Sequence, residues 1–193
     1  ENYLRAVLPN KANVRVVPNG FVVQKYTSTR VENVSHSIAY FGNIGGIRNI
    51  HSTHTKLLTT YSSVHFYGLV DFTTRKILGN NYKGLLPRTE IPNHAAAYDH
   101  LLVIISEAED AACAIPGKVY EYMSFRKPVI LVCPKGSAVE EMLDEIQYPY
   151  RNITTGVCRL ERSMPSFENL QSKYLRRNIW QNVFKEYKLN EES

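Results

Sequence analysis

The sequence predicts an α/β domain built on a doubly wound parallel sheet. Three observations carry that expectation. Short apolar runs recur along the chain, separated by stretches with helical spacing, the alternation that right-handed parallel crossovers require. Two of the runs, residues 101–105 and 129–133, are apolar at every position, as expected of parallel strands covered on both faces. And 193 residues with 44% hydrophobic content suffice for one domain with a sizeable core, whereas two full domains would be cramped.

Taken in order, Val14-Arg15-Val16-Val17 alternates as a strand does, Pro18-Asn19-Gly20 forces a turn, and Thr27 to Ser37 is polar without periodicity. A chain that enters mid-pattern without a methionine reads as the later part of something larger. Residues 1–36 are therefore expected to be an interdomain lead-in and residues 37–193 the domain proper. Ile38 to Phe41 is the first strand and runs into Gly42-Asn43-Ile44-Gly45-Gly46; Ile47, Ile50, Leu57, Leu58 and Tyr61 then fit one face of a helix. Val64 to Tyr67 is a second strand ending at Gly68, and Asn81 to Leu85 a weaker third. His94 to His100 reads as a helix leading into the strand Leu101 to Ile105. Ala114 to Cys133 is a glycine-led turn, a short helix stopped by Arg126-Lys127-Pro128, and the strand Val129 to Cys133. The C-terminal helix is expected over residues 166–189, opened by Ser166 after Pro165, with Phe167, Leu170, Tyr174, Ile179, Val183, Phe184 and Tyr187 in one stripe widened by Trp180. In such a sheet ligands bind beyond the carboxyl ends of the strands, where the loops 42–48, 68–71, 85–90 and 106–118 fall.

Two of those loops carry candidate chemistry. Pro116 and Gly117 open a helix whose unpaired N–H groups and dipole attract anions such as phosphate, and Lys118 stands in its first turn. Glu121, three residues on, shares a helix face with Lys118, so a cation for phosphate and a carboxylate for a sugar hydroxyl are offered together; an exposed salt bridge is the alternative reading of the pair. The loop Gly42 to Gly46 is not GxGxxG and is also explained by turn geometry alone, but Arg48 at the following helix start is suited to bidentate pairing with diphosphate oxygens.

Other classes find little support. The net charge of +5 suits an anionic ligand, a nucleic acid or an acidic membrane surface without choosing among them. Basic charge and many tyrosines without a recognition motif do not make a nucleic-acid binder, and no nucleic-acid partner is expected. Cys113, Cys133 and Cys158 have no CxxC pairing and read as buried thiols in a reducing compartment. His51 and His54 read as a polar helix face, since no His or Cys spacing suggests a metal site. No apolar run approaches the ~20 residues that span a bilayer, and there is no signal-peptide pattern. A cytoplasmic protein is expected, with room for contact at the inner face of the membrane.

Three stretches together resemble a known family. IPGKVYEYMSFRKPVIL, from Ile115 to Leu131, looks like the donor-site signature of retaining glycosyltransferases of GT-B architecture, the large family-four group. VRVVPNGF, from Val14 to Phe21, is similar to that family's interdomain segment, and IAYFGNIGGIRNI, from Ile38 to Ile50, to its first donor-domain strand and phosphate loop. The resemblance implies a Rossmann-like doubly wound sheet, the C-terminal half of a GT-B enzyme, that binds a nucleoside diphosphate sugar without metal or other cofactor. It implies Gly42, Asn43, Arg48, Gly117 and Lys118 around the diphosphate and Glu121 on the ribose hydroxyls. It also implies a missing N-terminal acceptor domain and a terminal helix that crosses back towards it, leaving part of the Trp180 stripe exposed here. There are departures. The family has an Arg directly after the first glycine, where this chain has Asn43. Its paired glutamates lie eight positions apart, and counting back from Glu121 gives Cys113; the cluster Glu107, Glu109 and Asp110 reads as a solvated acidic loop, and the alternative is that one of them substitutes if the loop is longer. The expected function is donor binding for sugar transfer to an unknown acceptor, glycan or lipid-linked. A nucleotide-binding regulatory module without transfer chemistry is the alternative.

Overall fold

The structure, a computed structural model, describes residues 17–23, 36–44, 50–105 and 109–191. Six strands form one sheet in which all neighbours run parallel: β1 (Ser37–Phe41), β2 (Ser63–Tyr67), β3 (Tyr82–Gly84), β4 (His100–Ile104), β5 (Val129–Val132) and β6 (Tyr150–Asn152). Their spatial order is β3-β2-β1-β4-β5-β6. The chain winds outward from β1 to β3, returns beside β1 as β4, and winds outward the other way. This is the Rossmann-like α/β fold, and the switch point between β1 and β4 is where such sheets open a crevice.

The helices are α1 (Ile50–Thr60), α2 (Phe72–Leu78), α3 (Ile91–Ala96), α4 (Gly117–Ser124), α5 (Ala138–Glu145), α6 (Phe167–Tyr174) and α7 (Arg176–Glu191). Strand alternation divides the core in two. Ile38 and Tyr40 of β1 face a cluster with Val64, Phe66, Leu102, Ile104 and Ile130, closed by Leu57 of α1 and Leu78 of α2. Ala39 and Phe41 face the other cluster, with Leu101, Val103, Val129 and Leu131, closed by Val119, Tyr122 and Met123 of α4, Val139 and Leu143 of α5, and Leu170 of α6. Both faces are covered, which is why β1, β4 and β5 are apolar almost throughout.

Several expectations need correction. The helix before β4 starts at Ile91, with Pro92 in its first turn where a missing N–H costs nothing, and His100 belongs to β4. Leu58 is 49% exposed: α1 turns Thr53, His54 and Leu57 inward instead. His54 is thus no surface residue; it lies edge-on to Phe66, and Asn81 Nδ2 donates to its Nε2 over 2.8 Å. Of the cysteines only Cys133 is buried, its thiol pushed up to about 11 by burial, while Cys113 and Cys158 are exposed. The C-terminal helix is two helices. At Leu175 the backbone turns extended (ψ 119) and bridges to Phe21; Phe21 N–H donates to Tyr174 O (2.8 Å), and Arg176 N–H to Phe21 O (2.9 Å). The lead-in satisfies the backbone groups freed by the break. Beyond it Trp180 is 48% exposed and Phe184 60% exposed, the two rings 6.0 Å apart. Of the expected strand over residues 14–17, only Val17 lies within the described residues.

Candidate functional site

The crevice is made by the strands parting and by a side chain placed between them. The β1–β4 ladder registers only at Ile38↔His100 and Ala39↔Leu101, and the Phe41 N–H beyond it donates to the hydroxyl of Tyr122 (3.1 Å). Tyr122 is fully buried on α4, and burial drives its phenol well above the ordinary tyrosine range, so it stays a neutral donor and acceptor.

Glycine shapes the floor. Gly42 (φ 145) and Gly68 (φ 130) end β1 and β2 in conformations closed to most side chains, and Gly42 N–H donates to Tyr67 O (2.8 Å). A Cβ on Gly68 would overlap the Gly42 carbonyl, and a Cβ on Gly42 would overlap the end of the Lys118 side chain. The loop after β1 is tied to the loop after β2: Ile44 N–H donates to Leu69 O (2.9 Å), and Leu69 N–H reaches Asn43 Oδ1 (3.4 Å). Asn43 thus braces the loop where the resembled family has an arginine.

Helix α4 supplies the charges. It starts at Gly117 because Pro116, in extended conformation (φ −62, ψ 140), serves as N-cap without a capping side chain. Lys118 reaches across to β1, where its Nζ donates to the Tyr40 hydroxyl (2.6 Å) and sits 3.8 Å from the ring centroid. Glu121, one turn on, has a carboxylate oxygen, Oε1, that is buried and has no hydrogen-bond partner. Two adjoining clefts meet at Glu121 and Arg88. The larger, about 460 Å³, holds Gly42, Asn43, Lys118 and Glu121 against an apolar wall of Tyr67, Leu85, Leu86 and Ile91. The smaller, about 190 Å³, is lined by Asn19, Gly20, Gly117 and Arg176 as well as the two shared residues.

Four of the six sequence-predicted residues therefore share one cleft, Gly117 lines its neighbour, and Arg48 lies outside the described residues, as does Glu107. Cys113 is exposed at the end of a 3-10 turn, Glu109–Cys113. Sequence reasoning placed the loop 85–90 at the carboxyl edge without selecting Arg88, the only basic residue in it. It gave no signal for the two tyrosines, whose hydrogen bonds to Lys118 and Phe41 depend on the fold.

No family model matches the chain. Over 117 residues it is 32% identical to a protein described as a probable glycosyltransferase, WbjE, of Pseudomonas aeruginosa, a match that takes in 55% of this chain and 29% of that protein. The chain is similar to part of a probable glycosyltransferase. It spans less than a third of that relative's length. The similarity and the all-parallel α/β fold together fit a glycosyltransferase domain. No helix among the described residues is long and apolar enough to cross a membrane.

Proposed function

We propose that this chain is the donor-binding domain of a retaining GT-B glycosyltransferase, with residues 1–36 as interdomain segment, acting with an N-terminal acceptor domain at or near a membrane. The observation that carries the proposal is the buried, unpartnered carboxylate oxygen of Glu121 in the cleft that also presents Lys118. A buried acceptor left unpaired costs ~1–3 kcal/mol, a cost that hydroxyl donors of a ligand would remove. Glu121 accepts hydrogen bonds from the ribose, Lys118 and Arg48 meet the diphosphate, and the apolar wall at Tyr67, Leu86 and Ile91 takes the base. In the transfer step these cations and the start of α4 stabilise charge building on the leaving diphosphate as its bond to the anomeric carbon breaks. The acceptor oxygen attacks that carbon from the face the leaving group occupied, and its proton leaves with the diphosphate.

Cys113 at the position of the family's first glutamate favours a second reading, a nucleotide-binding module without transfer. One experiment separates them. Calorimetric titration with nucleoside diphosphates, mononucleotides and duplex DNA is followed by an assay of donor consumption, first with this chain and then with the longer chain from the same source. Selective diphosphate binding with acceptor-dependent turnover only in the longer chain is expected. Selective binding without turnover in either supports the second reading, and no preference for diphosphates overturns both.

A further inference from the structure

Tyr40 joins the first strand, its loop and α4 through one side chain. Its ring is fully buried between sheet and helices, 6.1 Å from Phe66, so its position is set by the core. Its hydroxyl emerges at the carboxyl end of β1 and does two things there. It donates to the backbone carbonyl of Asn43 (2.9 Å) and accepts from Lys118 Nζ (2.6 Å). The ammonium also lies 3.8 Å from the ring centroid, an arrangement with cation–π attraction. It takes up the volume that a side chain at position 42 would fill.

A lysine side chain has four rotatable bonds, and an ammonium that wanders over a crevice loses rotamer entropy when a phosphate fixes it. Held on Tyr40, it has already lost that freedom. We infer that Tyr40 is a positioning residue: its hydroxyl fixes the Lys118 ammonium over Gly42 and the Asn43 carbonyl beneath it, so that loop and helix present one preset anion site. The inference rests on the donor-site reading of Lys118, and it assigns Tyr40 no contact with the ligand.

The test uses Tyr40→Phe, which keeps the ring and removes only the hydroxyl, and Lys118→Met, alone and combined, in the full chain. Calorimetry with uridine and guanosine diphosphates, their nucleosides, and inorganic pyrophosphate reads affinity, and thermal melting reads the fold. Tyr40→Phe is expected to weaken diphosphate and pyrophosphate binding about 10- to 150-fold, the range for a hydrogen bond to a charged group, with nucleoside affinity within about 2-fold of the parent. In the Lys118→Met background the same change should cost nothing further, because the two residues act as one unit. A tyrosine that only packs would move the melting temperature without moving the ratio of diphosphate to nucleoside affinity. Unchanged diphosphate affinity in Tyr40→Phe, equal losses for nucleoside and diphosphate, or losses that add across the two variants each overturn the inference while leaving the donor reading intact. If the parent binds pyrophosphate but no nucleoside diphosphate, the donor reading fails and the inference is decided on pyrophosphate. If it binds neither, both fail.

Discussion

Replacing Glu121 by alanine should separate ligand affinity from stability. Glu121 lines the cleft from α4 with Oε1 buried and unpartnered, so the unliganded protein gains no bond from that oxygen and bears its desolvation. Alanine removes that cost and is a better helix former than glutamate by a few tenths of a kcal/mol. The melting temperature of the unliganded variant should therefore equal or slightly exceed the parent's. Binding should move the other way. Loss of hydrogen bonds from ribose hydroxyls to a charged acceptor is worth ~1–3 kcal/mol, and the middle of that range is roughly a 30-fold weaker Kd. At a ligand concentration of about 100 times the parent Kd, the parent gains ~2.7 kcal/mol on binding, whereas a variant weakened about 30-fold gains only ~0.9 kcal/mol. For a chain of this size that corresponds to ligand-induced shifts of about 5–10 °C in the parent and about 2–3 °C in the variant. Differential scanning calorimetry with and without nucleoside diphosphate measures all four values. A variant that melts several degrees below the parent without ligand, or one that keeps the parent's ligand-induced shift, would refute the reasoning and make Glu121 a structural residue.

Lys118→Ala should weaken nucleoside diphosphate binding about 10-fold or more while barely changing nucleoside affinity, since a charge-assisted bond to phosphate is lost; a chelator should alter neither in titration calorimetry. Gly68→Ala should destabilise the fold by about 2 kcal/mol or more in urea unfolding, because a Cβ at φ 130 is strained and also overlaps the Gly42 carbonyl. His65 and His100 both have pKa values lowered from the ordinary 6.5, chiefly by burial, with Lys83 adding to the effect on His65. Their neutral forms favour the folded state, so that contribution is fully present above the unfolded-state pKa of about 6.5 and is lost as pH falls through the folded values. Melting temperature should fall between pH 7.5 and pH 5, and His65→Gln combined with His100→Gln should flatten the fall; an unchanged slope would remove these histidines as its cause.

The parallel sheet was legible because burial on both faces erases polar positions from Val129–Val132 and from most of His100–Ile104, a pattern visible in one dimension. The helix start at Gly117 was equally legible, since Pro116 and Gly117 act through backbone geometry that the residue types themselves impose. What escaped was set by tertiary contacts. The break between Tyr174 and Arg176 has no glycine or proline to announce it; it exists because Phe21, 154 residues earlier (175 − 21), supplies a backbone partner at Leu175. Leu58 fits the helical stripe by spacing but loses its place to His54, whose ring nitrogen Asn81 meets in the interior. Helix α2 is short, and its one clear sign, Asp71 accepting from Thr74 N–H (2.7 Å), is a local cap that also reads as a turn.

The same division explains the site. One turn of α4 carries Lys118, Glu121 and Tyr122, three residues that helical spacing turns towards the switch point. Two of them are committed to β1: Lys118 to the hydroxyl of Tyr40 and Tyr122 to the backbone of Phe41. Both bonds tie α4 to the end of β1, just past the residues that pair with β4. The residue between them is left with a buried oxygen and nothing to bond. A helix turn evolved only to brace the sheet would satisfy all three groups, or would carry an apolar side chain at the middle position, because an unpaired buried acceptor lowers stability. On the donor-site proposal the third group's partner arrives from solution, and the cation one turn below it would select a molecule bearing hydroxyls close to a negative charge.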